Sequence, residues 1–202
     1  MSSESVVAAT AEAGEAPRNR RQEETFRKVL EAGVEMLRET SYADLTVRAV
    51  AKRAQVAPAT AYTYFSSKNH LIAEAYLDLV KQVPFFTDVN DTQVTRVDSV
   101  LRALTLVVAD EPEVAAACTT ALMSSGDPAV LRVRDSIGAE IHRRITSALG
   151  PGAEPRTVSA LEMTFFGALV QAGSGAFTYH QIADRLGYVV QLILPGDDEG
   201  DR

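Results

Sequence analysis

Residues 45–68 constrain the fold most, because they predict two short helices joined by a tight turn and then the start of a third helix. Thr46 can cap the first helix, since its side-chain oxygen can accept a backbone N–H that the opening turn leaves free. Pro58 suits the first turn of the second helix, where its missing N–H costs nothing. Phe65 closes that helix as an apolar anchor, and Ser67 caps the third. The stretch therefore predicts a small helix-turn-helix unit.

The second helix of this unit carries polar side chains where a buried helix would carry leucines, namely Thr60, Tyr62, Thr63 and Tyr64. Basic side chains flank it, and they are Arg48, Lys52, Arg53 and Lys68. Helix-turn-helix domains lay their second helix in the major groove of DNA while neighbouring elements hold phosphates. The pattern favours a DNA-reading unit, and the alternative is an ordinary helical hairpin with surface tyrosines.

The stretch also matches the motif of a known family at Leu45, Thr46, Arg48, Val56, Thr60, Tyr62, Tyr64, Phe65, Ser67 and Lys68. With these residues the sequence resembles the TetR family of transcriptional regulators. The resemblance implies DNA contacts by Thr46, Arg48, Pro58, Ala59, Thr60, Tyr62, Thr63, Tyr64 and Lys68. Pro58 and Ala59 stand where many members have longer polar side chains, and Ala61 replaces a frequent leucine. We therefore expect base discrimination to depend on Arg48, on methyl contacts and on DNA shape.

Apolar residues recur at helical spacing through the rest of the chain, and no stretch alternates long enough to predict a sheet. The spacing predicts an all-α protein of about nine helices. The family resemblance implies an N-terminal three-helix helix-turn-helix head and a C-terminal helical ligand-binding and dimerisation domain. The expected divisions are a disordered tail at 1–16, a helix-turn-helix DNA-binding domain at 17–66, a helical regulatory and dimerisation domain at 67–195 and an acidic tail at 196–202.

Capping signals predict two helix starts in the C-terminal domain. Asp127 precedes Pro128, which suits a first helical position, and Thr178 stands three residues before Gln181, which is a capping-box spacing. In the long helix after Pro128, apolar residues form one stripe, and the spacing places the charged residues on the solvent side. These charged residues are Arg132, Glu140, Arg143 and Arg144.

Charge divides unevenly along the chain, although the whole carries a net charge of −7. Residues 17–82 contain 11 Lys and Arg against 8 Asp and Glu, whereas residues 83–202 contain 9 against 16. A mildly basic N-terminal unit on an acidic remainder is typical of a DNA-binding regulator. The arginines at 18, 20 and 21 could enter a minor groove or track phosphates, and the alternative is a solvated basic start to a helix.

Several function classes lack their sequence signals. The single cysteine, Cys118, excludes an internal disulfide and fits a reducing cytosol, so we expect a cytoplasmic protein. The first residues do not form a signal peptide, and no apolar run reaches membrane-spanning length. The three histidines are scattered, and a glycine-rich phosphate loop and a nucleophile elbow are missing, so we expect neither an enzyme nor a bound cofactor or metal. The alternative is an all-helical carrier or enzyme whose N-terminal hairpin is structural.

The family resemblance implies a homodimer whose subunits meet through residues 156–175 and 178–194. Two symmetric heads would read two half-sites, so we expect double-stranded DNA with an inverted repeat. The sequence is compatible with this, because apolar residues lie beyond the stripe that faces the monomer core, at Phe166, Val170, Tyr188 and Leu192. The alternative is that both helices are simply buried in the monomer.

The same resemblance implies a small-molecule pocket in the helices after the head, whose occupation releases a repressor from DNA. Candidate lining residues are Tyr76, Phe86, Leu101, Leu104, Cys118, Leu122, Met123, Met163, Phe166 and Gln171, with polar additions from Thr119 and Thr120. Because most of them are apolar, we expect a hydrophobic or amphipathic effector. Each of these residues taken alone could instead belong to the core.

Overall fold

The computed structural model of the chain describes residues 19–85, 88, 90–124 and 126–194. The expected disordered tail at 1–16 and the acidic tail at 196–202 lie outside the described residues, and so do Phe86 and the arginine at position 18.

The described residues form nine α-helices and no strand, which confirms the all-α prediction. The helices are α1 (Arg20–Glu39), α2 (Val47–Arg53), α3 (Pro58–Tyr64), α4 (Lys68–Gln82), α5 (Gln93–Leu106), α6 (Pro112–Leu122), α7 (Pro128–Leu149), α8 (Pro155–Gly173) and α9 (Tyr179–Ile193). We call α1–α3 the head and α4–α9 the body.

Helix starts lie where the capping residues predict them. The Thr46 oxygen accepts the Ala49 N–H at α2, and the Ser67 oxygen accepts the His70 N–H at α4. Thr178 forms the predicted capping box at α9. Asn19 and Gln22 form another capping box at the start of α1. This cap was not predicted, although the three-residue spacing of the two residues is the usual sequence signal of a capping box.

Aromatic packing holds the head together. Phe65 is fully buried directly after α3, and its ring stacks on that of Phe26 from α1, with 4.9 Å between ring centroids. The turn between α2 and α3 passes through Gln55, whose φ of +57° is the left-handed conformation that reverses the chain in a short space. This packing fixes the direction in which α3 presents its outer face.

Helix α4 connects the head to the body. It packs against α1 on the head side and against α6 and α7 on the body side, and seven of its side chains are buried. Behind it, α5 packs along α9, and α9 packs along α8. No helix in the described part of the chain is long and apolar enough to cross a membrane.

The solvent-side placement of Glu140 and Arg144 was wrong, because both residues are buried and Arg144 is only 1% exposed. The Arg144 guanidinium donates from Nη2 to the Lys81 carbonyl at 3.0 Å and from Nη1 to the Pro84 carbonyl at 3.2 Å, and also to the Val83 carbonyl. It therefore pairs with carbonyl groups at the end of α4 that the helix itself leaves free, which explains its burial.

Candidate nucleic-acid interface and body cavity

The outer face of α2 and α3 is an exposed surface of small, polar and basic side chains. Arg48, Pro58, Ala59 and Thr63 are exposed, and Tyr62 is 52% exposed although it is a large aromatic residue. Because Ala61 and Phe65 are buried on the opposite side, this face of α3 points away from the protein. The surface has the size and chemistry to enter a DNA groove.

Two threonines of the predicted set already make local hydrogen bonds. The Thr63 hydroxyl donates to the Thr60 carbonyl at 2.6 Å, and Thr60 is half-buried. Thr46 is exposed, but its oxygen accepts the Ala49 N–H as the N-cap of α2. The threonine methyl groups remain available for apolar contact with a base.

Tyr64 and Lys68 face the protein rather than the open surface. The half-buried Tyr64 ring lies edge-on to Phe26, with 6.1 Å between the ring centroids. Lys68 Nζ donates to the Tyr42 carbonyl at 2.9 Å and to the Ala43 carbonyl at 3.3 Å, and it lies 4.4 Å above the Tyr42 ring. A phosphate contact by Lys68 would require its ammonium group to leave these carbonyls.

The basic residues around α3 differ in how free they are. Arg53 pairs with Glu39 and lies 3.7 Å from a Glu35 oxygen, so its charge is already balanced. Arg48 and Lys52 are exposed, and neither forms an ion pair with another residue that the structure describes. These two residues are therefore the cations of this surface that can bind an anion at the least cost.

The body contains a cavity of about 430 Å³ between α4, α6, α7 and α8 and the start of α9. Its lining is mostly apolar: Tyr76, Val108, Ala115, Cys118, Thr119, Leu122, Met123, Arg134, Asp135, Ile137, Ile141, Phe166, Leu169, Val170 and Tyr179. This volume falls within the range of small-molecule sites, which is about 300–1,000 Å³.

The cavity brings together five of the predicted lining residues, which are Tyr76, Cys118, Leu122, Met123 and Phe166. Leu101 and Leu104 are buried in the core and do not line it. Met163 and Gln171 are exposed and also lie outside the lining. Of the two predicted polar additions, Thr119 lines the cavity and Thr120 does not.

The predicted lining did not include most of the cavity-lining residues of α7 and α8, and it did not include Tyr179. Ile137 and Ile141 belong to the predicted apolar stripe of α7, and nothing in their spacing separates a cavity wall from a packed core. Leu169 and Val170 have the same ambiguity on α8. Tyr179 follows directly on the predicted cap Thr178, which could have indicated that its ring turns back toward the body.

The polar groups in the buried part of the cavity are uncharged at neutral pH. Burial raises the pKa of the Tyr76 hydroxyl, and burial raises the pKa of the Cys118 thiol to about 12. Burial likewise raises the pKa of the Tyr179 hydroxyl. The two charged lining residues, Arg134 and Asp135, are exposed. The cavity therefore combines a neutral interior with a charged, solvent-accessible rim.

Large apolar side chains cover the outer faces of α8 and α9. Tyr188 and Leu192 are 68% and 82% exposed on α9, and Met163, Phe166 and Val170 are exposed on α8. In the single chain these side chains are not buried, which does not fit the alternative that both helices lie inside the monomer. These residues recur three or four positions apart on two helices that pack together, and clustered exposed apolar residues of this kind mark interaction sites.

Within the described part of the chain, no three His, Cys, Asp or Glu side chains cluster closely enough to hold a metal ion. Asp184, which has a metal-compatible spacing from His180 in sequence, instead accepts a hydrogen bond from Arg102 Nη2.

Comparison with known protein sequences identifies relatives that are transcriptional regulators. A sequence profile of the bacterial regulatory proteins of the tetR family matches residues 29–75. Over 183 residues, the chain is 75% identical to an uncharacterized HTH-type transcriptional regulator of Mycobacterium tuberculosis, which covers 90% of this chain and 86% of that protein. Over 183 residues it is 27% identical to the HTH-type transcriptional repressor KstR of Rhodococcus jostii, which covers 86% of this chain and 84% of that one.

Solved structures share the fold at low sequence identity. A TetR transcriptional regulator from Rhodococcus sp. RHA1 has a TM-score of 0.74 at 22% identity, covering 87% of this chain and 98% of that one. The regulator FadR from Bacillus subtilis, in complex with stearoyl-CoA, has a TM-score of 0.58 at 16% identity, covering 82% of this chain and 97% of that one. From its helix-turn-helix motif, its fold and its 75% identical relative, the chain belongs to the TetR family of bacterial transcriptional regulators.

Proposed function

We propose that this regulator is a repressor that binds an inverted-repeat operator as a homodimer and is released when a small apolar or amphipathic effector fills the body cavity. The observation that carries the proposal is the position of α4. Its side chain Tyr76 forms part of the cavity wall, and three residues separate its first residue from the end of α3. One helix therefore touches both the candidate effector site and the candidate DNA-reading unit.

In the proposed complex, α3 lies in the major groove. Arg48, Pro58, Ala59, Thr60, Tyr62 and Thr63 face the bases, whereas Thr46, Tyr64 and Lys68 lie along the phosphates. The tyrosine and threonine hydroxyls can bond base edges or phosphate oxygens, and the methyl groups can contact thymine. Lys52 adds a free cation beside the same groove.

The dimer interface in this proposal is the outer face of α8 and α9, within residues 156–175 and 178–194. A two-fold axis brings the same apolar patch of each subunit together, and it places the two heads on two half-sites. The exposed α8 and α9 side chains support this arrangement. Leu192→Glu should weaken the dimer in sedimentation velocity, whereas Leu131→Glu, a matched change on exposed α7 surface, should not. Unchanged sedimentation of the Leu192 variant would place the interface elsewhere.

The effector class follows from the largely apolar lining. One structural relative, FadR from Bacillus subtilis, was solved with stearoyl-CoA, which has a long apolar chain. The relative KstR is described as a repressor, which supports repression here.

Two hydrogen bonds that connect α1 and the start of α4 to the body suggest how an effector could move the head. Helix α6 lines the cavity, and Glu111, directly before it, accepts a hydrogen bond from Arg38 Nη2 of α1 at 2.7 Å. Asp127, directly before α7, accepts a hydrogen bond from Ser67, directly before α4. A ligand that pushes α6 and α7 apart would therefore displace α1 and the start of α4 together.

DNA binding can be tested with a matched pair of charge deletions. Arg48→Ala should lower affinity for duplex DNA about 5- to 140-fold in fluorescence anisotropy, because a groove contact of arginine is worth about 1–3 kcal/mol. Arg132→Ala removes an equally exposed arginine from the body and should leave the affinity unchanged. Affinity of the natural protein should fall steeply with added salt. Equal effects of the two variants, or a flat salt response, would contradict the proposed interface.

A further inference from the structure

Tyr76 is the most unusual polar residue of the cavity. The residue is only 5% exposed, yet its hydroxyl makes no hydrogen bond with any residue that the structure describes. The Tyr76 hydroxyl is also not fully enclosed by the protein. Among the described residues, the fully enclosed side-chain polar atom that lacks a hydrogen bond is Thr146 Oγ1, and not the Tyr76 oxygen. Tyr76 lines the cavity, and its hydroxyl interacts electrostatically with Cys118 and Tyr179, which line the same cavity, so we place the hydroxyl on the cavity side.

The second tyrosine of the cavity is in a different state. The Tyr179 hydroxyl interacts with the Thr119 hydroxyl, which lowers the pKa of Tyr179 against the raising effect of burial. Thr119 in turn donates to the Ala115 carbonyl at 3.0 Å. A neighbouring protein hydroxyl therefore acts on Tyr179, whereas no side-chain hydrogen bond acts on the Tyr76 hydroxyl.

The electrostatic surroundings of Tyr76 exclude an anionic partner. Its polar neighbours are Cys118 and Tyr179, both of which have raised pKa values and are neutral at physiological pH. The cationic residue of the lining is Arg134, which is exposed and stands next to Asp135. A carboxylate at the buried end would lose its hydration without gaining a cation, which is strongly unfavourable.

We infer that the effector enters with an uncharged oxygen, a hydroxyl or a carbonyl, at its buried end, where that oxygen accepts a hydrogen bond from Tyr76. The rest of the ligand is apolar and packs against the α6, α7 and α8 walls, and any charged group stays at the rim beside Arg134. This inference rests on the proposed function of the cavity as an effector site, and it adds which end of the ligand enters and what chemistry that end carries.

The test compares three probes of ten carbon atoms by isothermal titration calorimetry at pH 8. Decan-1-ol carries a neutral oxygen, decanoate carries a charged one, and butylbenzene carries none. Decanoate should keep its carboxylate at the rim, so its affinity should change less than twofold when the Tyr76 hydroxyl is removed. Tyr76→Phe, which deletes only the hydroxyl, should weaken decan-1-ol binding roughly three- to tenfold, the value of one neutral hydrogen bond. The same variant should bind butylbenzene within twofold of the natural protein.

The control variant is Tyr179→Phe, which deletes the other tyrosine hydroxyl of the same cavity. Because that hydroxyl already interacts with Thr119, decan-1-ol affinity should change less than twofold. Thermal unfolding verifies that both variants fold, and Tyr76→Phe removes an unpaired group, so its stability should be preserved.

The possible outcomes separate the inference from the function on which it rests. Equal losses of affinity for decan-1-ol and butylbenzene in Tyr76→Phe, or equal losses for decan-1-ol and decanoate, would overturn the inference and leave an effector cavity standing. A larger effect of Tyr179→Phe than of Tyr76→Phe would also overturn it. Binding of none of the three probes to the natural protein would overturn the effector cavity and the inference together.

Discussion

The two ends of α4 are held in different ways. At the carboxyl end, a fully buried arginine from α7, Arg144, donates to the Lys81, Val83 and Pro84 carbonyls and bonds Glu140 at 2.7 Å. The same guanidinium lies 4.4 Å from the centre of the Phe85 ring. At the amino end, a hydroxyl–carboxylate bond of 2.6 Å joins Ser67 to Asp127 of the body in a half-buried position, while Lys68 bonds carbonyls between α1 and α2 of the head.

Glu140 shows why the carboxyl end is the stronger one. Burial alone would raise the pKa of this carboxyl, but hydrogen bonds from Arg143 and Arg144 outweigh burial and lower it. The negative charge of Glu140 is therefore balanced by the positive charges of Arg143 and Arg144, and removal of one of these side chains would leave a charge without its partner. At the amino end, the described hydrogen bonds of Ser67 are with the Asp127 side chain and the His70 N–H. These two bonds do not form a buried network comparable to that of Arg144.

In the proposed mechanism of effector release, this difference lets α4 pivot. The carboxyl end would stay fixed to α7, while the amino end, which adjoins α3, would separate from Asp127 at a low cost. A small displacement of α6 or α7 at the cavity would then become a larger movement of the head.

The largest effect is expected at the fixed end. Arg144→Met should lower the free energy of unfolding by about 3–5 kcal/mol, because it leaves buried carbonyls and part of the Glu140 charge unpaired. Urea unfolding followed by circular dichroism measures the loss. Arg132→Met, on the exposed side of the same helix, should change stability by no more than about 0.5 kcal/mol. Nearly equal stabilities of the two variants would show that the carboxyl end is not specially held.

A smaller effect is expected at the amino end. Ser67→Ala removes the N-cap of α4 and its bond to Asp127, and should cost about 0.5–2 kcal/mol. Hydrogen exchange should become faster in the first turn of α4 and stay unchanged in its last turn. Ser136→Ala, on exposed α7 surface, is the matched control. Faster hydrogen exchange along the whole of α4 would contradict the claim that its two ends are held independently.

The smallest effect is a pH dependence of the amino end. The hydroxyl of Ser67 lowers the pKa of the Asp127 carboxyl, helped by the Ala129 N–H and by the charge of His70 and opposed by burial. The charged form is thus favoured in the folded protein. Its contribution is complete above the ordinary aspartate pKa and is lost as the pH falls through the lowered value.

Urea unfolding between pH 2 and pH 6 checks this dependence. Asp127→Asn should show a shallower loss of stability in acid than the natural protein. Parallel acid curves of the two proteins would show that Asp127 does not contribute.

The head could be predicted largely from sequence, and the body only in part. Caps such as Thr46 and Ser67 act through neighbours in the chain, so a local pattern identifies them. The burial of Arg144 depends on carbonyls 60–63 residues away, which no local pattern records.

The cavity was harder still to predict. Leu101 in the core and Ile141 in the cavity wall are both buried apolar residues on helical stripes, and only the three-dimensional packing tells them apart. Likewise, the orientation of Lys68 toward the Tyr42 carbonyl could not be derived from a motif that describes which residue is present.

The most direct test of the account is a selection of bound sequences from a pool of random duplex DNA, performed with the purified natural protein. We expect enrichment of an inverted repeat, because two copies of the α2–α3 surface related by a two-fold axis would read two identical half-sites. Enrichment of a single unsymmetrical site would contradict the proposed dimer. Absence of any enrichment, with a folded and dimeric protein, would contradict the assignment of this surface as a sequence-reading unit.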